Sequence, residues 1–181
     1  MLDLESLFTL SYGMCIVCSK RNSKINGCIV NSVFQVTPEP PMVAISINRE
    51  NLTYEYIVES KVFTVSILAE SAPLRFIGKF GFRTGRDINK FEEINYREGV
   101  TGAPIVLENT VGFIEAEVTN AIDVETHTLF IGKITASQTI DDSKIPMTYT
   151  YYRNVKGGRT PRTAATYIKK IENKSVKEPR K

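Results

Sequence analysis

The chain has 181 residues, 23 of them Lys or Arg and 20 Asp or Glu, with 42% hydrophobic residues and no Trp. That length and balance fit one globular domain, of the usual roughly 100–200 residues, whose core needs no metal or disulfide to hold it. Three cysteines (an odd number), an acidic N-terminus without a basic leader and the absence of any apolar run near the roughly 20 residues of a membrane span exclude a disulfide scaffold and a spanning protein, and a cytoplasmic location is expected.

In chain order, "DLESLFTL" predicts a short helix capped by Asp3. "YGMCIVCSK" and "INGCIVNSVFQVT" predict two strands joined by the polar turn "RNSK", the second stopped by the prolines of "PEPP". "MVAISIN" is a third strand, with Val43, Ile45 and Ile47 alternating. "NLTYEYIVES" places Tyr54, Ile57 and Val58 at helical spacing, and "KVFTVSILA" returns to a strand. "SAPLRFIGKFG" predicts a short helix with Ser71 as N-cap and Gly81 as stop, and residues 82–103 are polar and irregular. "TVGFIEAEVTNAIDV" and "HTLFIGKITASQTI" form a long hairpin turning near Asp123–Thr126, and the Gly-, Pro- and aromatic-rich region after Tyr149 is expected to wander over the surface. About seven strands with two or three short helices favour a mainly β, antiparallel barrel with helices at its edge.

Cys15 and Cys18 spell C-x-x-C, but they sit in a predicted strand, where residues three apart point to opposite faces, so buried, inert thiols are expected. The lone His127 cannot assemble a metal site by itself, and no metal is expected. Residues 153–181 carry ten bases and two acids, whereas residues 1–152 carry thirteen bases and eighteen acids. A basic tail can bind nucleic acid, but the aromatics are not interleaved with bases as a stacking platform requires, so a nucleic-acid-binding barrel is the weaker alternative.

Three segments can carry chemistry. In "ISINRENLTYEYI" a strand runs into a helix start through Asn48, Arg49, Asn51 and Thr53, a place where free amides and a positive dipole end favour a phosphate, unless Asn51 or Thr53 simply caps the helix. "KFGFRTGRDINKF" brings Lys79, Arg83, Arg86 and Lys90 to a glycine-punctuated segment, where four cations in an otherwise acidic body suit an anionic ligand unless the loop is simply solvated. "NGCIVNSVFQVT" interrupts a strand with Asn26, Asn31, Ser32, Gln35 and Thr37, amides and hydroxyls able to meet a planar heterocycle.

Together the segments read N-G-x-x-x-N-S-V-F-Q-V-T-x-x-P-P, S-I-N-x-x-N-x-T, F-x-V-S-I-L, R-T-G-R-D-x-N-K-F and T-H-T-L-F-I-G-K-I, and this order closely resembles the flavin reductase-like, FMN-binding split barrels. The flavoprotein domain of high-molecular-weight rubredoxins, the flavoredoxins and the archaeal ferric reductases are the members it resembles most. The resemblance runs from about residue 7 to 168 and implies one flavin domain over 1–168 with a basic tail over 169–181. It implies a six-stranded split barrel, homodimeric, with one FMN per subunit and NADH or NADPH as co-substrate. Asn31, Ser32, Val33, Gln35, Val36 and Thr37 would line the flavin ring. Ser46, Asn48, Arg49, Asn51 and Thr53 would hold the ribityl phosphate, and Lys90 would also reach the flavin. His127 would lie by the flavin and the incoming nicotinamide, as the catalytic proton donor or positioning group. The related rubredoxins continue into an iron-binding domain with further cysteines, whereas no cysteine follows Cys28 here, so electrons would pass to a separate acceptor: a flavin, ferric iron, or a redox protein such as rubredoxin. The alternative within this family is an FMN electron-transfer protein reduced by a protein partner.

Overall fold

The computed structural model describes residues 3–168. Nine strands are joined by three short helices and a 3-10 turn at Leu4–Thr9. The strands are β1 (Cys15–Arg21), β2 (Lys24–Val30), β3 (Val33–Pro38), β4 (Pro41–Asn48), β5 (Val62–Leu68), β6 (Tyr96–Glu98), β7 (Pro104–Val106), β8 (Thr110–Val124) and β9 (His127–Thr139). The helices are α1 (Leu52–Ser60), α2 (Leu74–Gly81) and α3 (Tyr149–Asn154).

Seven strands form one antiparallel sheet in the order β2-β1-β5-β8-β9-β4-β3, and β6 pairs with β7 separately. The two edge strands of the large sheet, β2 and β3, are consecutive in the chain, joined only by Asn31 and Ser32. The sheet must therefore roll until its edges meet, and the Ser46 N–H, donating to Ser32 O at 3.1 Å, carries the β3–β4 ladder up to the point where the chain leaves β2. This is the split of the barrel, and it corrects the reading of residues 25–37 as one strand. The chain changes neighbours at Asn31–Ser32, leaving β1 and joining β4. It also explains why the sheet has seven strands where six were implied.

β1 is buried on both faces, and its alternation divides the core. Met14, Ile16 and Cys18 pack outside the barrel with Phe76, Ile77 and Phe80 of α2 and with Tyr149 and Tyr152 of α3. Cys15 and Val17 point inward to Val43, Ile45, Phe63, Val65 and Phe130. The C-x-x-C pair is thus divided between the two sides of one strand. Burial pushes the Cys15 thiol up to about 12 and Cys18 likewise upward, the second further raised by the neighbouring Cys28. Gly132 is required inside: a Cβ there would lie 2.8 Å from the Phe63 ring.

Several local expectations change. The N-terminal turn is 3-10, and Ser6 Oγ donates to the backbone carbonyl of Asp3 at 2.6 Å. Helix α2 begins after Pro73, not Ser71, because Pro73 supplies the fixed φ of a helix entrance; Gly81 is the last helical residue and Phe82 follows as the cap. Strand β6 interrupts the stretch read as irregular. Most consequentially, residues 149–154 are helical, with Thr148 Oγ1 accepting from Tyr151 N at 3.1 Å, and the chain after them is seated on the barrel. The basic tail from residue 169 lies outside the described residues.

Candidate functional site

The seam of the barrel, the start of α1 and the chain from Arg159 to Tyr167 enclose two adjoining cavities. The first is polar, about 470 Å³, and its walls include Asn26, Leu52, Thr53, Arg83, Gly85 and Lys90. The second is a narrow apolar slot of about 30 Å³, walled by Ile29, Val30 and Ile77 with Asn31, Ser46 and Asn48 along one side. Asn51, Gly81, Phe82, Thr160, Pro161 and Thr163 border both, so the two form one continuous site. The larger volume lies within the roughly 300–1,000 Å³ of small-molecule sites.

Local sequence explains the polar end. The strand β4 ends at Asn48, whose Oδ1 accepts from Glu50 N at 2.9 Å and tightens the turn into α1. Tyr54 N–H turns back to Asn51 O at 3.0 Å, while Asn51 gives no side-chain cap. The first amides of a helix have no partner within it, so those of Leu52 and Thr53 remain for a ligand, at the positive end of the α1 dipole. Thr53 is fully buried, and its Oγ1 accepts from Asn26 Nδ2 at 2.9 Å. Gly85 approaches so closely that a Cβ there would lie 2.0 Å from Asn26 Oδ1. Lys90 is buried, and its Nζ donates to Gly27 O at 2.9 Å and Phe80 O at 3.0 Å. Burial lowers its pKa, with the nearby Cys28 and Cys18 acting in the opposite sense. Two of the three ammonium protons are committed to carbonyls, and the third is available to the cavity it lines.

The structure brings Asn31, Ser46, Asn48, Asn51, Thr53 and Lys90 to the walls of this site. Asn48 borders the slot, while Thr53 borders the polar cavity. Arg49 does not line either cavity; it points along the sheet to Asp123 at 3.4 Å. Ser32 donates to Asn31 Oδ1 at 3.3 Å, one residue back from the wall. Val33, Gln35, Val36 and Thr37 run away along the edge strand β3, where Gln35 Nε2 donates to Thr37 O at 3.3 Å and Thr37 Oγ1 to Pro40 O at 2.6 Å.

His127 opens β9, paired with Asn48 across the ladder. Its Nδ1 shares a hydrogen bond with Thr126 Oγ1 at 2.9 Å. Its Nε2 is buried and, among the described residues, has no hydrogen-bond partner. The Thr163 backbone lies near enough to favour the protonated ring, though not aligned for a bond, and burial outweighs it: the His127 pKa is lowered. Thr163 borders both cavities, so His127 stands directly behind that wall.

The pattern of the flavin reductase like domain matches residues 7–158. The chain belongs to that family. It is 42% identical over 166 residues to the high molecular weight rubredoxin of Moorella thermoacetica, covering 92% of this chain and 72% of that one. It is 41% identical over 167 residues to the ferric-chelate reductase (NAD(P)H) of Archaeoglobus fulgidus, covering 92% and 98%. Among solved structures, the NADH:FAD oxidoreductase SgcE6 of Streptomyces globisporus C-1027 superposes with a TM-score of 0.71 at 20% identity, over 80% of this chain and 86% of that one, a likeness of fold.

In this flavin reductase-like fold, three groups of wall residues escape sequence reasoning. Tyr149 and Tyr152 come from α3, and residues 159–165 with Tyr167 from the stretch read as surface chain. Gly81 and Gly85 act by being small. Only the double glycine at 157–158, which lets the chain turn sharply after α3, hinted at a structural role there.

Proposed function

We propose that the joined cavities hold FMN, with its phosphate at the polar end and its ring toward the slot. The chain is a flavin reductase-like, NAD(P)H-dependent oxidoreductase that works with FMN, as its family and its ferric-chelate and flavin reductase relatives support. The observation that carries the site is the convergence of the α1 amides, Thr53, Arg83 and Lys90 on one cavity that opens into an apolar slot. A planar ring with a phosphate on a flexible chain needs that combination. When bound, FMN supplies the two-electron chemistry between nicotinamide and acceptor.

The residues of the chain bind, orient and shield. The helix start and Lys90 neutralise the phosphate, which is the strongest anchor available because bonds to charged groups are worth about 1.5–3 kcal/mol each. Asn31, Ser46 and Asn48 offer amide and hydroxyl groups to a ring edge. His127 is the proposed proton donor or positioning group. Its Nε2 is a buried polar atom awaiting a partner, and such atoms call for an explanation.

A two-fold homodimer is proposed on the outer face of β3, β4, β9 and β8. Phe34, Ile122 and Val124 are exposed there, beside the part-buried Leu129 and Ile131, which the register places on the same side. Contiguous apolar surface of this kind marks an interface. Electrons leave to a separate acceptor, and the relation to a rubredoxin-named protein supports a redox protein among the candidates. Three free buried thiols suit a cytoplasmic setting.

The test is the absorbance spectrum of the purified protein, with the heat-released flavin identified, before and after anaerobic addition of NADH and NADPH. A flavin spectrum bleached by either nicotinamide is expected. A protein that cannot be reconstituted with FMN removes the cofactor assignment. One that binds FMN but is bleached only by a reduced protein partner is an electron-transfer flavoprotein.

A further inference from the structure

Residues 159–167 are a short strap lying across the mouth of the slot, held by hydrogen bonds at its two ends and, between them, by an exposed ion pair of Arg162 with Glu50 at 3.5 Å. The strap leaves α3 at a glycine pair. Gly157 has φ +66°, and a Cβ on Gly158 would lie 2.2 Å from the Tyr152 ring. Tyr152 Oη then donates to Arg159 O at 2.8 Å, and the Tyr149 and Thr160 hydroxyls meet. At the far end, Asn31 Nδ2 donates to Thr166 Oγ1 at 2.7 Å, from the seam of the barrel to a residue 135 positions away. Between the two fastenings, Pro161, Ala164 and Ala165 lie over the slot. With the strap seated, the slot is about 30 Å³, far below the roughly 300–1,000 Å³ of small-molecule sites. A flat heteroaromatic ring cannot pass into it.

We propose that the strap is a gate on the flavin site, hinged at Gly157–Gly158 and latched by Asn31–Thr166, and that the ring of FMN reaches the slot only when this latch opens. The proposal rests on the FMN reading of the cavities and adds what controls access to them. It follows from three features together: a slot too small for its ligand, a cover attached at its two ends, and a hinge where the backbone tolerates no side chain. The strap also stands between His127 and the slot, through Thr163, so its movement uncovers the orphaned Nε2 to the ring. Thr166 lines neither cavity. It acts on the site through the strap and is a positioning residue.

Two variants test this. Thr166→Val removes the latch bond and keeps the shape; Gly158→Ala pushes the strap off Tyr152. Trypsin cleavage after Arg159 and Arg162 in the flavin-free protein reads strap opening without any cofactor. Stopped-flow flavin fluorescence reads FMN association and dissociation. Both variants should be cut faster, and both FMN rates should rise about fivefold, the factor expected when opening loses one ordinary hydrogen bond. A gate raises association and dissociation together. Unchanged cleavage overturns the latch. Faster cleavage with an unchanged association rate overturns the gate and leaves a mere clasp. Faster cleavage of a protein that binds no FMN, in wild type as in variants, instead removes the cofactor reading while the hinged strap stands. Thermal unfolding of both variants, expected within a few degrees of wild type, separates these outcomes from misfolding.

Discussion

Asn26 of β2 and Thr53 of α1 are joined by a buried hydrogen bond of 2.9 Å, Nδ2 to Oγ1, and this bond fixes the start of the helix against the barrel wall. It holds the amides of the first turn at one side of the polar cavity. Gly85 presses on the other side of the Asn26 amide. Thr53→Val keeps the volume and deletes the hydroxyl. The Asn26 donor is then left unsatisfied, at a cost of roughly 1–3 kcal/mol of stability. If Thr53 also meets the phosphate, FMN affinity falls by at least about tenfold, since each decade is about 1.4 kcal/mol. Equilibrium titration of the apoprotein measures it, and unchanged affinity moves the phosphate toward Arg83.

Lys90 is a buried cation holding two carbonyls, Gly27 O and Phe80 O, so it ties β2 to the end of α2. Its folded pKa is lowered from 10.5 by burial. The unfolded chain therefore holds that proton more tightly, and stability should rise with pH between the lowered value and 10.5. Lys90→Met orphans both carbonyls, a loss of roughly 2 kcal/mol net of the relieved burial. That corresponds to a melting temperature lower by about 4–8 °C for a chain of this size. The alkaline rise should vanish with it, and an unchanged melting curve would show that the carbonyls find other donors.

The barrel was legible because its strands alternate and its long hairpin has no competing period. Val43, Ile45 and Ile47 of β4 and the Tyr54, Ile57, Val58 spacing of α1 each satisfy one local rule. The seam at Asn31–Ser32 was not legible, since the residues on both sides favour extended chain and the change is only in which strand they pair with. The polar end of the site, proposed for the phosphate, could be read because a strand running into a helix start is a local feature. Arg49 was misplaced because its direction depends on the turn beyond Asn48 and on Asp123, 74 residues away. The strap was invisible for the same reason: its contacts to Tyr152, Tyr149 and Asn31 are tertiary, and its own sequence has no period.

The cysteines give a chemical prediction. Cys15, Cys18 and Cys28 are buried, and desolvation raises all three thiols, Cys15 to about 12. A thiol with so high a pKa holds almost no thiolate at pH 8. Iodoacetamide should label none of them in the native protein and all three after denaturation, as counted by intact mass. Labelling of Cys15 and Cys18 in the folded state would make the C-x-x-C pair a redox candidate again.

The exposed face bearing Phe34, Ile122 and Val124 predicts the assembly state. Ile122→Lys combined with Phe34→Glu places charges in the proposed dimer interface, where unpaired charges are strongly unfavourable. Sedimentation should show about twice the chain mass for the wild type and the chain mass for the double variant. A wild-type monomer at micromolar concentration would leave the face without its partner.

The burial of His127 sets the sign of two pH effects. Its folded pKa lies below 6.5, chiefly through desolvation. Below pH 6.5 the unfolded chain takes up the proton that the folded chain resists, so stability should fall as pH drops from 6.5 toward the lowered value and level off beneath it. His127→Asn should flatten that slope. The same lowered pKa means that the ring is neutral at pH 7. If protonated His127 supplies a proton near the flavin, the rate of flavin reduction should decline as pH rises through that pKa and become independent of pH in the variant. A positioned acid contributes about 10²–10⁴-fold, so His127→Asn should slow anaerobic single-turnover bleaching by about 10²-fold, with FMN content unchanged because the proposed phosphate anchors lie elsewhere. Equal rates at equal FMN content would make the orphaned Nε2 a partner of the strap alone, its cost carried to keep Thr163 in place.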